Sequence, residues 1–307
     1  MDAPIRRQRT LEALKRILLR ESLNQPLMII LEDLNWIDDE TQAFLNLLAD
    51  SIGTAKLLLM VNYRPEYSHE WNNKTYYTQL RLDPLGSESA SEMFDALLGV
   101  SVPSTDGSLA ALKRLIIEKS EGTPLFMEEI VQALVEEGAL VRNGTVRLTR
   151  SLDTLKIPPT VQAILASRID RLPAGEKELL QTLAVIGSEF PLEVVRKTVQ
   201  LSSDQLDHSL SRLQAGEFIY EQPAMGDVEY RFKHTLTRDE AYNSLLTERR
   251  RLLHERTARA IEASYCDRLE DHYDHLARNY RLGGNAAKAI EYLRLAGEQA
   301  MDRGAYA

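Results

Sequence analysis

Two short apolar runs with a single helical segment between them constrain this chain most. "LMIILED" (27–33) and "KLLLMVNYR" (56–64) are continuous in Leu, Ile, Met and Val over lengths that suit buried strands. Between them, the segment 39–52 carries Phe44, Leu45, Leu48, Ala49 and Ile52 at helical spacing. A strand, a crossover helix and a second strand of this kind give a parallel pair. Uninterrupted apolar strands are also the pattern of a sheet covered on both faces. The polar ends then share one side: Glu32-Asp33 after the first run, Asn62-Tyr63-Arg64 after the second. Open parallel sheets bind ligands beyond the carboxyl ends of their strands, so these tips share a predicted crevice.

Paired acids at such a strand end suit phosphoryl chemistry, which needs a phosphate cradle, a metal and an oriented water. In that reading Glu32 holds magnesium through its water shell, Asp33 polarises the attacking water as general base, and Arg64 meets the γ-phosphate charge. The same residues also read as the start of an ordinary loop, with Asp38 and Asp39 capping the helix that follows. The local pattern leaves both readings open. The cradle itself is absent. A P-loop needs G-x-x-x-x-G-K-[ST], because glycine lets backbone N–H groups close around phosphates. Here the first glycine is Gly53, and no Gly-Lys pair occurs in the 307 residues.

Helical periodicity dominates the rest. Helices are expected over 6–22, 87–98, 108–119 and 125–140, the last with Met127, Ile130, Val131, Leu134 and Val135 on one face. "RNGTVRL" (142–148) predicts a hairpin turning at Asn143-Gly144. After Pro158-Pro159, helices over 160–171, 176–186, 191–200 and 203–214 precede strands at 217–221 and 228–232, a winged-helix arrangement. A long helix over 239–264 follows, its basic cluster solvated and Leu252 and Leu253 facing inward. The tail places Leu276, Ala277, Tyr280, Gly284, Ala289, Leu293 and Ala296 close to tetratricopeptide spacing, enough for about one repeat. The fold class is α/β plus α, with domains over 1–83, 84–155, 156–238 and 239–307.

Charge and cysteine content narrow the function classes. A net charge of −9 disfavours a whole-molecule affinity for nucleic acid or anionic membrane. One cysteine, Cys266, excludes an intramolecular disulfide framework and fits a reducing, cytoplasmic setting. No window approaches the ~18 apolar residues of a membrane span. A DNA reader needs Lys and Arg on its recognition helix, whereas "SDQLDHSLSRLQAG" (203–216) sets Asp204 and Asp207 against Arg212. His272 and His275, flanked by Asp271 and Asp274, have metal-ligand chemistry, but the repeat pattern already accounts for that helix.

The ordered series "RRQRTLEALKRILLRES", "PLMIILEDLNWIDDETQAFLNLL", "KLLLMVNYRPEY", "EGTPLFMEEIVQALVEEGALV", "IPPTVQAILASRIDRLPAGEKELLQTLAVIG" and "YRFKHTLTRDEAYNSLLTERRRLLHER" resembles a known regulatory region. It is similar to the ATPase region of bacterial STAND-type (AAA-like) signalling proteins. The likeness is strongest to those attached to class III adenylate/guanylate cyclases and followed by tetratricopeptide repeats. The resemblance covers essentially the whole chain. It implies the C-terminal half of a P-loop NTPase sheet, a helical lid, a winged helix and the start of a repeat array. It places Glu32 and Asp33 on the Walker B acids and Arg64 on the sensor arginine. Gly122 and Pro124 fall on a G-x-P motif near the nucleotide base, and His234 falls where some relatives direct a histidine at the diphosphate. ATP or ADP with Mg2+ are the implied cofactors of a complete protein, and protein partners would bind through the repeats. An attached effector is also implied, with no membrane or DNA partner. Two departures stand out: Asn35 occupies a position often held by histidine, and the Walker A loop is missing, as in an internal segment of a longer protein.

Overall fold

Helix α1 (Ala3–Asn24) stops just before Pro26, whose ring disfavours helical backbone in the preceding residue. A computed structural model describes residues 3–99, 107–143, 145–223 and 228–303. The chain divides into two compact units, Met1–Leu82 with Gly297–Ala307, and Asp83–Ala296. In the first unit, β1 (Leu27–Leu31) leads through a 3-10 turn (Leu34–Trp36) to α2 (Asp39–Ala49). A second turn (Ile52–Thr54) then enters β2 (Leu57–Val61). β1 and β2 pair in parallel, Leu27 opposite Leu57 and Leu31 opposite Val61, as the two apolar runs predict.

The expectation of a sheet covered on both faces is corrected. Side chains alternate across a strand, so an element packed on one face shields only every second residue. Leu31, Leu59 and Val61 pack with Leu34, Leu45, Ala49 and Trp71. On the opposite face Met28 (61%), Ile30 (57%), Leu58 (50%) and Met60 (49%) remain exposed. Both strands are also shorter than 27–33 and 56–64. The extended run ends at Leu31 because Asp33 turns left-handed, at φ 56° and ψ 48°.

The second unit begins with α3 (Ser87–Leu98), α4 (Gly107–Ser120) and α5 (Pro124–Glu136), followed by the antiparallel pair β3 (Leu140–Asn143) and β4 (Thr145–Leu148). Phe94, Leu112, Ile116, Met127, Ile130 and Leu134 form their core. The helix predicted over 125–140 ends at Glu136, because Gly138 takes φ 65° and turns the chain into β3. Of the predicted Asn143-Gly144 turn, Gly144 lies outside the described residues.

Next come α6 (Val161–Arg171), α7 (Ala174–Ile186), β5 (Glu189–Pro191), α8 (Leu192–Thr198), α9 (Ser203–Ala215), β6 (Ile219–Pro223) and β7 (Val228–Phe232). The three strands form an antiparallel sheet in the order β5-β7-β6. Its core joins Leu183, Phe190, Leu210, Leu213, Phe218 and Phe232. Strand β5 is absent from the sequence reading, since three residues are too few for periodicity to register. Pairing defines it: Phe190 lies opposite Tyr230 and stacks on it with centroids 6.4 Å apart.

The single helix expected over 239–264 is two, α10 (Thr235–Asn243) and α11 (Thr247–Ser264). Ser244 Oγ donates back to the Ala241 carbonyl (2.7 Å), and Leu246 is extended. The break lets Leu245 turn into a small core with Val185 and Leu253. Arg250 caps the broken end by donating to the Tyr242 carbonyl (3.0 Å). Only Leu253 faces inward and Leu252 is exposed, because consecutive helical residues sit about 100° apart. Finally α12 (Tyr273–Gly283) and α13 (Ala286–Arg303) meet at Gly284, φ 85°. Leu276, Ala277, Tyr280 and Ala289 are buried with Ala258 and Ile261 of α11. Leu293 is exposed, contrary to the repeat spacing; Tyr292 is buried in its stead, its hydroxyl bound to Glu262. No helix among the described residues is long and apolar enough to cross a membrane.

Candidate functional site

Asn62, the first residue past β2, fixes the acidic turn at the end of β1. Its N–H donates to the Leu31 carbonyl (3.2 Å) and its carbonyl accepts from the Leu34 N–H (3.0 Å). Its Oδ1 accepts from the Asp33 N–H at 2.6 Å. Asp33 is thereby held in the left-handed region, which aspartate tolerates better than branched residues do. Leu34 is anchored in the core, while the side chains of Glu32 and Asp33 remain exposed to solvent. Arg64, also exposed, lies three positions past Val61 on the neighbouring strand. The parallel register thus brings both carboxylates and the guanidinium beyond the same strand ends. Exposed carboxylates of this kind suit a hydrated cation, and the guanidinium suits an anion. Asn35 Oδ1, in the turn that follows, is buried without a hydrogen-bond partner.

Asp38 caps α2, as the loop reading predicts. Its carboxylate accepts from the Thr41 N–H (2.7 Å) and from the Thr41 hydroxyl (3.0 Å). The Thr41 N–H bond is the main cause that holds the Asp38 carboxyl below its ordinary value of 3.8. A depressed native value means the cap is fully formed above 3.8 and is lost as pH falls through the native value. Asp38→Ala is expected to cost about 1 kcal/mol, the cap being solvent-exposed. Denaturant titrations at neutral pH and near pH 3 check this, the difference between wild type and variant shrinking in acid.

A network absent from the sequence reading supports the same strand end. Beyond β2, Tyr63, Tyr67, His69, Trp71 and Tyr77 gather over α2. The Tyr63 and Tyr77 hydroxyls lie 2.7 Å apart, and His69 Nε2 is 2.9 Å from the first and 3.1 Å from the second. His69 stacks on Trp71 with centroids 4.6 Å apart. Trp71 Nε1 donates to Asn46 (2.8 Å), Tyr76 donates to the Ala49 carbonyl (2.7 Å), and Tyr67 binds Gln42. Burial, with Tyr63 adding to it, pushes the Tyr77 phenol up to about 12. The density of aromatics over 63–77 was the available signal, but it has no periodicity to mark it.

The other predicted residues belong to the second unit. Glu121 and Gly122 both take positive φ (50° and 73°) between α4 and α5. Thr123 is the N-cap of α5 and Pro124 its first residue, a position that suits proline, while the Gly122 carbonyl accepts from the Leu85 N–H (2.8 Å). His234 precedes α10; its Nε2 is buried without a partner, and burial lowers its pKa against the opposing pull of Glu129 and Glu128. Close by is a charged cluster that sequence reasoning missed. Arg168, fully buried, pairs with Glu129, donates to Glu136 from Nε (3.0 Å) and Nη2 (2.6 Å), and donates to the Gly216 carbonyl (2.7 Å). Its guanidinium lies 4.7 Å from the Phe218 ring centroid. Lys233 bridges Glu128 and Glu217.

Two lesser candidates also acquire structural roles. Arg212, the cation of the possible DNA-reading helix, pairs with Glu176 at 3.1 Å. His272 stacks on Tyr265 with centroids 3.9 Å apart, and no cluster of three or more metal-ligating side chains occurs among the described residues.

The class of protein this architecture resembles comes from a solved structure. The fold, mostly helical with small sheets, is similar to a signal transduction ATPase with numerous domains (STAND) protein with a tetratricopeptide repeat sensor from Pyrococcus horikoshii. The TM-score is 0.60 at 14% identity, over 95% of this chain and 38% of that one. In sequence, the chain is 27% identical over 303 residues to an uncharacterized protein of Rhizobium meliloti (strain 1021). That match covers 97% of this chain and 28% of the relative, so the chain spans well under half the length of both of these proteins. No known protein-family model matches it.

Proposed function

We propose that this chain is part of an ATP-dependent STAND-type signalling switch. The observation that carries the reading is the similarity of fold over 95% of the chain to a STAND ATPase with a repeat sensor. The parallel pair with Glu32-Asp33 and Arg64 beyond its carboxyl ends supports it. In this reading β1 ends in a Walker B pair. Glu32 holds Mg2+ through water, Asp33 acts as general base, and Arg64 meets the γ-phosphate. Gly122 and Pro124 border the base, and His234 offers its unpartnered Nε2 to the diphosphate. Residues 84–155 form the lid and 156–238 a winged helix. Residues 239–307 are a linking helical segment and one tetratricopeptide-like repeat. ATP favours one arrangement and ADP the other, and the repeats pass the difference to a protein partner or an attached effector, such as a nucleotide cyclase or a transcription factor. The setting is cytoplasmic.

Residues 1–307 contain no Gly-Lys-Ser/Thr loop, so the purified chain is expected to bind Mg-ATP no more tightly than the millimolar range and to hydrolyse none. Calorimetry and a phosphate-release assay check both. In a longer polypeptide that supplies such a loop, Glu32→Gln and Asp33→Asn are each expected to cut turnover at least ~100-fold while ATP binding persists. Unchanged turnover in both would refute the Walker B assignment. The second reading is a nucleotide-independent interaction scaffold. That reading takes over if no such loop accompanies these residues.

A further inference from the structure

The C-terminal part of α5 and its cap repeat a pair of acids two helical turns apart, Glu128-Glu129 and Glu136-Glu137. Seven residues at about 100° each nearly close two turns, so the two pairs lie on one side of the helix. All four carboxylates are met by cations from the chain that follows. Arg168 of α6 pairs with Glu129 and Glu136, and Arg171 at the end of α6 pairs with Glu137. Lys233, just past β7, pairs with Glu128. The same cations grip the turn between α9 and β6. Arg168 donates to the Gly216 carbonyl (2.7 Å) and lies over Phe218, and Lys233 also holds Glu217.

Helix α6 is itself shared between two apolar cores. Its Ile164 sits in the core of α3, α4 and α5, whereas Ile169 sits in the core of α7, α9 and the three-stranded sheet. Arg168 lies between these two anchors, and both it and Glu129 are buried. Sliding one core over the other would draw Arg168 away from Glu129 or from the Gly216 carbonyl. Either step leaves a buried charge or a buried acceptor without its partner. The pairs of Arg171 and Lys233 are partly exposed, so water and salt can replace them at little cost. The buried pair has no such substitute.

We infer that the Arg168 tie makes the α3–α5 core and the α7–β7 core one rigid body, with no hinge between them. That these cores are the lid and the winged helix of a nucleotide switch rests on the proposed function; the tie itself does not. Within that switch, the passage from ATP to ADP moves lid and winged helix together. His234, next to Lys233, then keeps its place relative to Gly122 and Pro124 at the start of α5 in both states.

The test uses residues 1–307 with Cys266→Ser, and spin labels attached through Lys119→Cys and Ser211→Cys at exposed positions of α4 and α9. Pulsed electron-electron resonance should read one narrow distance between the labels. Burial shields Arg168, so that distance should not change between ~0.05 and ~1 M salt. Arg168→Met combined with Glu129→Gln removes both members of the buried pair and should broaden the distribution at least ~2-fold. A wild-type distance that is already broad, or that widens in salt, would overturn the inference. A double variant as narrow as the wild type would do the same. In the longer polypeptide the distance should be equal with ADP and with a non-hydrolysable ATP analogue, and a shift between them also overturns it. Absence of ATP turnover there would instead remove the nucleotide reading and leave the result on residues 1–307 standing.

Discussion

Arg168→Met is expected to destabilise the second unit by about 3–5 kcal/mol, the usual cost of removing one partner from a buried ion pair. Arg168 is as buried as any core leucine, and so is Glu129, whose carboxylate would be left charged and unpaired. Glu136 would lose a two-pronged donor and the Gly216 carbonyl its side-chain partner. Arg168→Lys should recover only part of the loss, because a single ammonium cannot bridge two carboxylates and a carbonyl in the geometry of the guanidinium fork. Adding Glu129→Gln to Arg168→Met should recover more, since it removes the stranded charge. Denaturant midpoints of the three variants check the series. Loss of less than ~1 kcal/mol in Arg168→Met would mean that water or another cation takes over the site.

Gly122→Ala should be the most damaging glycine-to-alanine change among the described residues. At φ 73° any side chain is strained, by about 1–2 kcal/mol. A Cβ there would also lie 2.2 Å from the Leu85 carbonyl oxygen, a backbone atom that cannot swing aside. That contact accompanies the bond from the Leu85 N–H to the Gly122 carbonyl (2.8 Å), which ties the start of the second unit to the α4–α5 turn. Strain and displacement together are expected to exceed ~3 kcal/mol. Pro124→Ala, at the first position of α5, should cost well under ~1 kcal/mol, since the proline there sacrifices no helical hydrogen bond. Thermal unfolding without nucleotide separates the two. Equal, small effects would point away from this packing and towards a role in ligand binding.

The parallel pair was readable because apolar runs of strand length and a helix of clear periodicity leave few arrangements open. The same logic found α5 and its apolar face through Met127, Ile130, Val131 and Leu134. It failed where the signal is not periodic. The sheet face of Met28, Ile30, Leu58 and Met60 carries the same residues as its buried counterpart, so residue type alone could not say that it is exposed. Strand β5 is set by Phe190 meeting Tyr230, a pairing some forty positions apart in sequence. The break at Ser244 carries no proline or glycine and arises because Leu245 finds a core in α7 and α11.

For the candidate site the division is similar. Sequence alone determined which residues stand at the strand ends, Glu32, Asp33 and Arg64, and that residues 1–307 carry no glycine-rich phosphate loop. The cap at Asp38 was legible as one of two local readings, whereas the helix expected from 125 starts one residue earlier, at Pro124. Only the tertiary structure decided that Asn62 holds Asp33, that His69 closes a ring with Tyr63 and Tyr77, and that Arg168 is buried between Glu129 and Glu136. Local preferences act over a few residues and leave a periodic trace. Hydrogen bonds and ion pairs across tens of residues leave none until the chain has folded.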